Sequence, residues 1–437
     1  MMRSAAAPSL PPCAPDVDHR IGVAKRAAVL LLGGFAVYAL LFALFAHGAE
    51  PIWGEWAAGA YIAAAAVAAL CWRRYPGIPL VVAIAGALAV PASVLPANWG
   101  ATSEVRVVAR AATLWLAHGT PYLAPGQLAS WRSYDPYLPG MSLFGLPHAL
   151  GLSYPLGDPL VWLAVTTAVL LAAACRIAAP GMPRCGRCRR QAVLRTMLLL
   201  AFPAFALPMA LGVTDPPVIA LLCLGLACTT RSARPVLAGI AIGVACALKV
   251  TAWPALPVVF ALLAFRDGRK VTARFTASAL GSFFGLVAVT APALFTHPRA
   301  FWQNIVAYPL GLSRSLTQAA SPLPGHLLAG TGSLGHLAAI ALLCGAALAV
   351  GASLVVRPPR DVWQASLRLA VGLVAMFLLA PDARFGYFAY PLGILFWLLL
   401  TRSTGPQAPQ TASLVPPPAA GAEPVRPVRA RHPAHIL

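Results

Sequence analysis

The sequence predicts an all-α fold, a polytopic bundle of transmembrane helices. Of its 437 residues, 59% are hydrophobic and only 10% are charged, whereas soluble domains carry roughly 25% charged residues. The apolar residues form long runs such as 27–46, 159–175 and 276–295, and about twenty apolar residues span the hydrocarbon core of a bilayer. Because backbone groups in lipid must be hydrogen-bonded within their own segment, these runs are expected to be helices.

The chain is expected to contain about twelve such spans between two tails. The predicted spans cover approximately residues 27–46, 57–72, 79–95, 158–178, 192–212, 215–230, 236–250, 252–265, 275–296, 333–356, 367–380 and 386–401. Residues 1–26 and the Pro- and Arg-rich residues 403–437 are predicted to be disordered cytoplasmic tails. An additional N-terminal transmembrane hairpin, residues 27–78, is expected to precede the main membrane domain, residues 79–402.

The distribution of basic residues predicts the orientation of the chain. The net charge is +20, but the basic residues concentrate in turns on one side of the predicted bundle, as in the cluster from Arg184 to Arg195. Basic residues mark cytoplasmic loops, so both termini are predicted to be cytoplasmic, with contacts to anionic lipid rather than to nucleic acid. Arg far outnumbers Lys, and Ala, Gly and Pro are abundant, which is typical of a high-GC bacterial genome and indicates a bacterial plasma membrane.

Two long loops are predicted on the outer face. Residues 138–152 are apolar, but they are few and include Pro147 and Gly151. If this segment crossed the membrane, the later basic turns would lie outside, so we expect a juxtamembrane or re-entrant helix. Residues 96–157 then form one large outward region and residues 296–332 another, and loops of this length are usually functional.

The first outward loop carries the strongest chemical pattern. Glu104 directly follows a predicted span, and an amphipathic helix on the membrane surface is expected after it. The helical spacing is given by Val107, Val108, Ala111, Ala112 and Trp115, with Arg106 and Arg110 on another face. Gly119-Thr120-Pro121-Tyr122 ends this helix, and the turn Tyr134-Asp135-Pro136-Tyr137 follows.

These motifs resemble the first extracytoplasmic loop of GT-C glycosyltransferases, in particular glycosyltransferase family 87, the polyprenol-phosphate-mannose-dependent mannosyltransferases. A second stretch resembles the family at Ala238, Gly239, Gly243, Lys249 and Pro254, and a third at residues 381–392. The resemblance covers residues 79–401 and leaves out the hairpin. The chain departs from the family in having Glu104 where Asp is usual, Gly212-Val213-Thr214-Asp215 for G-Q-x-N, and Tyr137-Leu138-Pro139 for Y-P-P.

The resemblance implies a GT-C-type bundle with a large outward first loop that carries juxtamembrane helices. It implies transfer of a hexose, mannose in that family, from a polyprenyl-phosphate donor to an envelope glycan or glycolipid on the outer face. Glu104 would take the proton of the acceptor hydroxyl, and cationic groups would stabilise the leaving phosphate. The substrate-binding candidates are Lys249, Arg106, Arg110, Tyr134, Asp135, Asp215, Arg384 and Tyr387. We expect Lys249 and at least one of Arg106, Arg110 and Arg384 to contact the phosphate. The sequence assigns no metal ligands and leaves a divalent cation open as a cofactor.

Each candidate also has an ordinary structural interpretation. Glu104 could be an acid favoured at a helix N-terminus, Lys249 could extend from a helix end to the interface, and Asp215 could cap a helix. Asp135 fits a turn, and Arg384 with Tyr387 and Tyr390 fits an interfacial aromatic belt.

Two other functions remain open: a transporter or flippase of an envelope component, and an inactive relative. A transporter would concentrate ionisable groups at mid-membrane, whereas most of these lie in outward loops, which favours an enzyme.

Overall fold

The computed structural model describes residues 17–99, 103–179, 186–230, 234–296, 298–313, 315, 317 and 319–402. The chain divides into a compact unit that ends at Thr401 and a remainder, Arg402–Leu437, and the predicted disorder of residues 1–16 and 403–437 lies outside the described residues. The described part consists of helices and loops, and its single β-bridge joins Ala320 to Ala383. The all-α prediction is confirmed.

Eighteen α-helices are formed within the described residues. They are α1 Val17–Phe45, α2 Glu50–Cys71, α3 Ile78–Ile84, α4 Val90–Trp99, α5 Ser103–His118, α6 Leu146–Ala149, α7 Pro159–Ala178, α8 Gly186–Ala201, α9 Pro203–Leu211, α10 Asp215–Cys228, α11 Pro235–Leu248, α12 Ala255–Arg266, α13 Arg269–Thr290, α14 Pro298–Phe301, α15 Pro324–Ala329, α16 Ser333–Val356, α17 Val362–Leu379 and α18 Ala389–Thr401. A π-helical turn, Ala85–Ala89, joins α3 to α4 in one continuous rod.

All twelve predicted apolar segments are helical, but they differ in length. Seven helices of the described chain are long and apolar enough to cross a membrane: most of α1, α2, the α3–α4 rod, α7, α13, α16 and α17. The α8–α9 pair would be an eighth span, bent by 63°. The bend lies at Phe202, whose extended backbone precedes Pro203, as expected because a proline disfavours the helical conformation of the residue before it. The remaining four predicted spans correspond to apolar helices of only 10–17 residues, whereas about twenty residues span a bilayer. The count of about twelve crossings is therefore not confirmed and stays a prediction.

The first helix begins earlier than predicted. It starts at Val17, so residues 17–26, which were expected to belong to a disordered tail, are helical. Apolarity marks only the part of a helix that lies in lipid, and this stretch includes the good helix formers Arg20, Ala24, Lys25 and Arg26. The helix therefore continues beyond the end of its apolar run.

The N-terminal hairpin, α1 and α2, packs against the rest of the bundle through buried aromatic side chains. The indole nitrogen of Trp53 donates a 2.7 Å hydrogen bond to the carbonyl of Ala87 in the α3–α4 rod. The Tyr61 hydroxyl donates a 2.6 Å bond to the carbonyl of Ala201, at the end of α8. Both side chains are fully buried, so the hairpin is an integral part of the compact unit.

The centre of the bundle is α10, in which every residue is buried. It packs between α7 and α11, and α11 in turn lies close against α13. The close approach depends on Gly239 and Gly243, because a Cβ atom at these positions would lie 2.4 Å from the carbonyl of Phe275 and 2.2 Å from that of Ala279. The small-residue pattern of α11 thus has a packing role, as is usual between membrane helices.

The two helical predictions for the first loop also agree with the structure. Helix α5 buries Val105, Val108 and Ala111 along one face. The segment 138–152 forms a 3-10 helix, Pro139–Gly145, followed by the four-residue α6, which is too short to cross a membrane. It packs on α5, and its position on the outer face stays a prediction.

Candidate functional site

The candidate residues lie at the ends of four elements that converge near α5. Glu104 is in the first turn of α5, Asp215 is the first residue of α10, Lys249 directly follows α11, and Arg384 precedes α18. These positions are far apart in sequence, so the site exists only in the folded bundle.

The turn between α9 and α10 requires a glycine. Gly212 has a φ of +74°, and a Cβ there would lie 2.5 Å from a methyl carbon of Val105 in α5. Only glycine adopts this backbone conformation readily. The turn therefore brings Thr214 into contact with the first turn of α5, where Glu104 lies.

A buried ion pair forms the interior of the site. The Lys249 ammonium donates to Oδ1 of Asp215, and the two side chains are only 8% and 4% exposed. The Tyr390 hydroxyl donates a 2.7 Å hydrogen bond to the same oxygen, and Thr251 donates to the Tyr390 hydroxyl at 2.7 Å. The side chain of Lys249 thus turns inward rather than toward an interface, and Asp215 binds Lys249 instead of capping α10, whose N-cap residue is Thr214.

Two tyrosine rings enclose the same ammonium. The Lys249 nitrogen lies 5.3 Å from the ring centre of Tyr137 and 5.2 Å from that of Tyr387. A cation within about 6 Å of an aromatic face is attracted by the ring quadrupole. The ion pair therefore fixes the positions of two aromatic side chains beside Glu104.

Glu104 is held from two sides. Its Oε2 accepts hydrogen bonds from the backbone N–H of Thr214 at 2.9 Å and from the Thr214 hydroxyl at 2.8 Å. Its Oε1 faces Arg384 at 3.5 Å, and its side chain is 13% exposed. Burial alone would raise the pKa of Glu104, but the charges of Lys249 and Arg384 and the bonds from Thr214 lower it below its ordinary value. Glu104 is therefore an ionised carboxylate at neutral pH, with Oε1 less firmly held than Oε2.

A second cluster, next to the first, contains Asp135. Its backbone N–H donates to Oδ1 of Asn304 at 2.8 Å, and its own Oδ1 accepts from the N–H of Tyr137 at 3.0 Å. Burial raises the pKa of Asp135 to about 7, although the Tyr137 N–H and the Arg110 charge oppose this shift. The hydrogen bond from the Tyr137 N–H is the contact expected if Asp135 is a turn residue. It orients the segment that carries the Tyr137 ring.

Two further predicted residues support this segment. Arg110 donates to the carbonyls of Arg132, Ser133 and Tyr134 at 2.6, 3.1 and 3.2 Å. The Tyr134 ring stacks on Tyr308 with 4.3 Å between ring centres. Arg110, Tyr134 and Asp135 therefore form a scaffold beside Glu104.

Arg106 is exposed on α5 and takes no part in the contacts of either cluster.

Five residues of the site were not among the candidates taken from the sequence. They are Thr214, Thr251, Asn304, Tyr308 and Tyr390. Tyr390 lies in the third stretch, three residues after Tyr387, and could have been identified from that spacing. Asn304 bonds to a residue 169 positions away, and no sequence pattern indicates that pair.

The donor set does not fit a resident divalent cation. Asp215 is paired with Lys249, and Glu104 faces Arg384, whereas Mg²⁺ and Ca²⁺ require several available oxygen ligands. Among the residues that the structure describes, no group of three His, Cys, Asp or Glu is arranged to hold a metal ion.

A family model described as Glycosyltransferase family 87 matches residues 136–381, more than half of the chain. No curated protein and no solved structure matches the chain. The matched residues include Tyr137, Asp215 and Lys249, whereas Glu104 lies before them and Arg384 after them.

Proposed function

Because the chain belongs to glycosyltransferase family 87, we propose that it transfers a hexose, with mannose as the first candidate, from a polyprenyl-phosphate donor. The acceptor would be a glycan or glycolipid of the cell envelope. We place the site on the outer face of a bacterial plasma membrane, with both termini cytoplasmic, because the basic turns mark the opposite side. Membership of a family of glycosyltransferases favours this activity over the transporter alternative.

The observation that carries the proposal is the environment of Glu104. Thr214 fixes one carboxylate oxygen, and the other faces a guanidinium that is 39% exposed. We propose that Oε1 takes the proton of the acceptor hydroxyl while the acceptor oxygen attacks the anomeric carbon of the donor. The bond between that carbon and the phosphate oxygen breaks, and the prenyl phosphate leaves with the electron pair. An inverting displacement of this kind needs only one carboxylate.

Arg384 is the residue best placed to bind the leaving phosphate. Its contact with Glu104 is long, at 3.5 Å, and its side chain is partly exposed, so the guanidinium has donors available for a phosphate. Lys249 is bonded to Asp215, and its ammonium lies close to the rings of Tyr137 and Tyr387. Its geometry better supports a role in positioning Tyr137 and Tyr387 and in keeping Glu104 ionised.

The test is transfer from a series of polyprenyl-phosphate hexoses by the full chain in membranes, compared with the variant Glu104→Gln. Glutamine retains an acceptor for Thr214 but cannot take a proton, so we expect the rate to fall by roughly 10²–10⁴. Glu55→Gln is the matched control, because Glu55 is exposed on α2. Glu104→Asp, which shortens the reach, should retain part of the rate. Full activity in Glu104→Gln would exclude Glu104 as the base, and an inert wild type with every donor would favour an inactive relative.

A further inference from the structure

The N-terminal hairpin lies outside the residues that match the family, yet it packs on the same elements that carry the site. Its buried core is shared with the α3–α4 rod and with α9, and Phe396 of α18 packs against it. The Phe35 ring of α1 lies 5.5 Å from Phe202 and 6.2 Å from Phe396. The rod leads into α5 and Glu104, α9 leads into Thr214, and α18 follows Arg384. The hairpin therefore supports three elements of the site at once.

The turn of the hairpin lies at the same end of the bundle as the site. Helix α2 and the α3–α4 rod are joined by a short connection and run antiparallel, with Gly86 packed directly against Ala60, where a Cβ would lie 2.3 Å from that of Ala60. The start of α2, at Glu50, is thus beside the end of α4, from which the chain continues to α5. This places residues 46–50 at the edge of the site.

The turn brings a further carboxylate toward the phosphate-binding arginine. Glu50 is half-buried in the first turn of α2, and its charge is within electrostatic reach of the Arg384 guanidinium and of His47. Arg384 therefore faces Glu104 at 3.5 Å and also has Glu50 of the hairpin turn within electrostatic reach. An anion that binds Arg384 is attracted by the guanidinium and repelled by both carboxylates.

We propose that the hairpin turn, residues 46–50, forms part of the donor-binding wall and that Glu50 limits how tightly Arg384 holds the donor phosphate. The inference rests on the proposed function in that it takes Arg384 as the phosphate contact. Weaker binding at Arg384 would favour release of the prenyl phosphate, which gains a second negative charge when its bond to the sugar breaks. The hairpin would thus be a part of the catalytic unit that tunes affinity.

The test is the dissociation constant of a short-chain prenyl phosphate, which carries the phosphate but no sugar, for the purified full chain in nanodiscs. Glu50→Gln removes a negative charge near Arg384, so we expect the dissociation constant to fall about three- to tenfold. Glu55→Gln is the matched control and should leave it unchanged, because Glu55 is exposed on the same helix. Glu50→Ala, which also removes the charge, provides a second variant if Gln impairs folding.

The variant Arg384→Gln distinguishes failure of the proposed role of Glu50 from failure of the proposed phosphate contact. If this variant weakens binding of the probe while Glu50→Gln and Glu50→Ala bind like the control, the role of Glu50 is refuted and the proposed function stands. If Arg384→Gln binds the probe as well as the wild type, the phosphate contact itself is wrong. A double-mutant cycle of Glu50→Gln and Arg384→Gln, read as thermal midpoints, should be non-additive, and additive effects would also overturn the proposal.

Discussion

Replacing Lys249 with Met is expected to destabilise the protein strongly. Both members of the ion pair are almost fully buried, with side chains 8% and 4% exposed. Without the ammonium, the Asp215 carboxylate keeps the Tyr390 hydroxyl at 2.7 Å but loses its counter-charge. Breaking a buried pair in this way costs about 3–5 kcal/mol, because an uncompensated charge remains in the interior.

Removing the second charge should reverse most of this loss. Asn at position 215 keeps an acceptor for the Tyr390 hydroxyl but carries no charge, so the double variant Lys249→Met/Asp215→Asn leaves no uncompensated ion. Replacing both members of a buried pair is often close to neutral. We therefore expect the double variant to be more stable than Lys249→Met alone, although it should transfer sugar slowly because Glu104 loses a stabilising charge.

Thermal unfolding in nanodiscs measures both effects. In domains of 150–250 residues, 1 kcal/mol shifts the midpoint by about 2–4 °C, and less in a longer chain, so Lys249→Met should lose several degrees. Lys270→Met is the control, because Lys270 is exposed on α13. The reasoning is refuted if Lys249→Met unfolds at the temperature of this control, or if the double variant is no more stable than the single one.

Three further predictions concern the loops and the orientation. Because burial raises the pKa of Asp135 from 3.8 to about 7, the folded state binds this proton more tightly and loses stability as the pH rises between these values. Asp135→Asn should therefore stabilise the protein more at pH 8 than at pH 5, and parallel thermal midpoints would contradict this. Gly212→Ala should cost about 1–3 kcal/mol through its positive φ, and it should reduce transfer through the clash with Val105, whereas Gly281→Ala, with nothing within 4 Å, should be harmless. Reporter fusions should place the loop 96–157 outside and both tails inside, and an outside tail would invalidate the orientation.

The sequence best predicted those features that depend on a single helix face or a single short motif. The apolar spacing around Val108 predicted α5, and the position of Glu104 after a span made it a candidate, which the structure places against Thr214 and Arg384. Lys249 and Asp215 were both selected as candidates, but their pairing was not predicted because it depends on how α10 and α11 pack. Periodicity reports which face of a helix is buried, and it says nothing about which distant residue lies opposite.

Arg110 also makes contacts that could not be predicted from the sequence. Its spacing from Arg106 predicted two cations on one exposed face, yet the loop at residues 132–134 folds over α5 and binds the Arg110 guanidinium through three carbonyls. Backbone carbonyls are present at every residue, so no sequence pattern marks the ones that will receive an arginine. The early start of α1 had a similar cause, since hydropathy detects only the lipid-embedded part of a helix.

In the proposed transfer, the ion pairs of the site would also determine how the base is regenerated. Glu104, Asp215, Lys249 and Arg384 together carry no net charge, so a phosphodiester donor brings the occupied site to about −1. In the proposed step Glu104 would accept a proton while the departing phosphate gains a second negative charge, so that the total charge is conserved through the displacement. A phosphate monoester has a second pKa of about 6, while the pKa of Glu104 is held below its ordinary value. The proton can therefore pass from Glu104 to the departing product, and each turnover would restore the base without a separate proton acceptor.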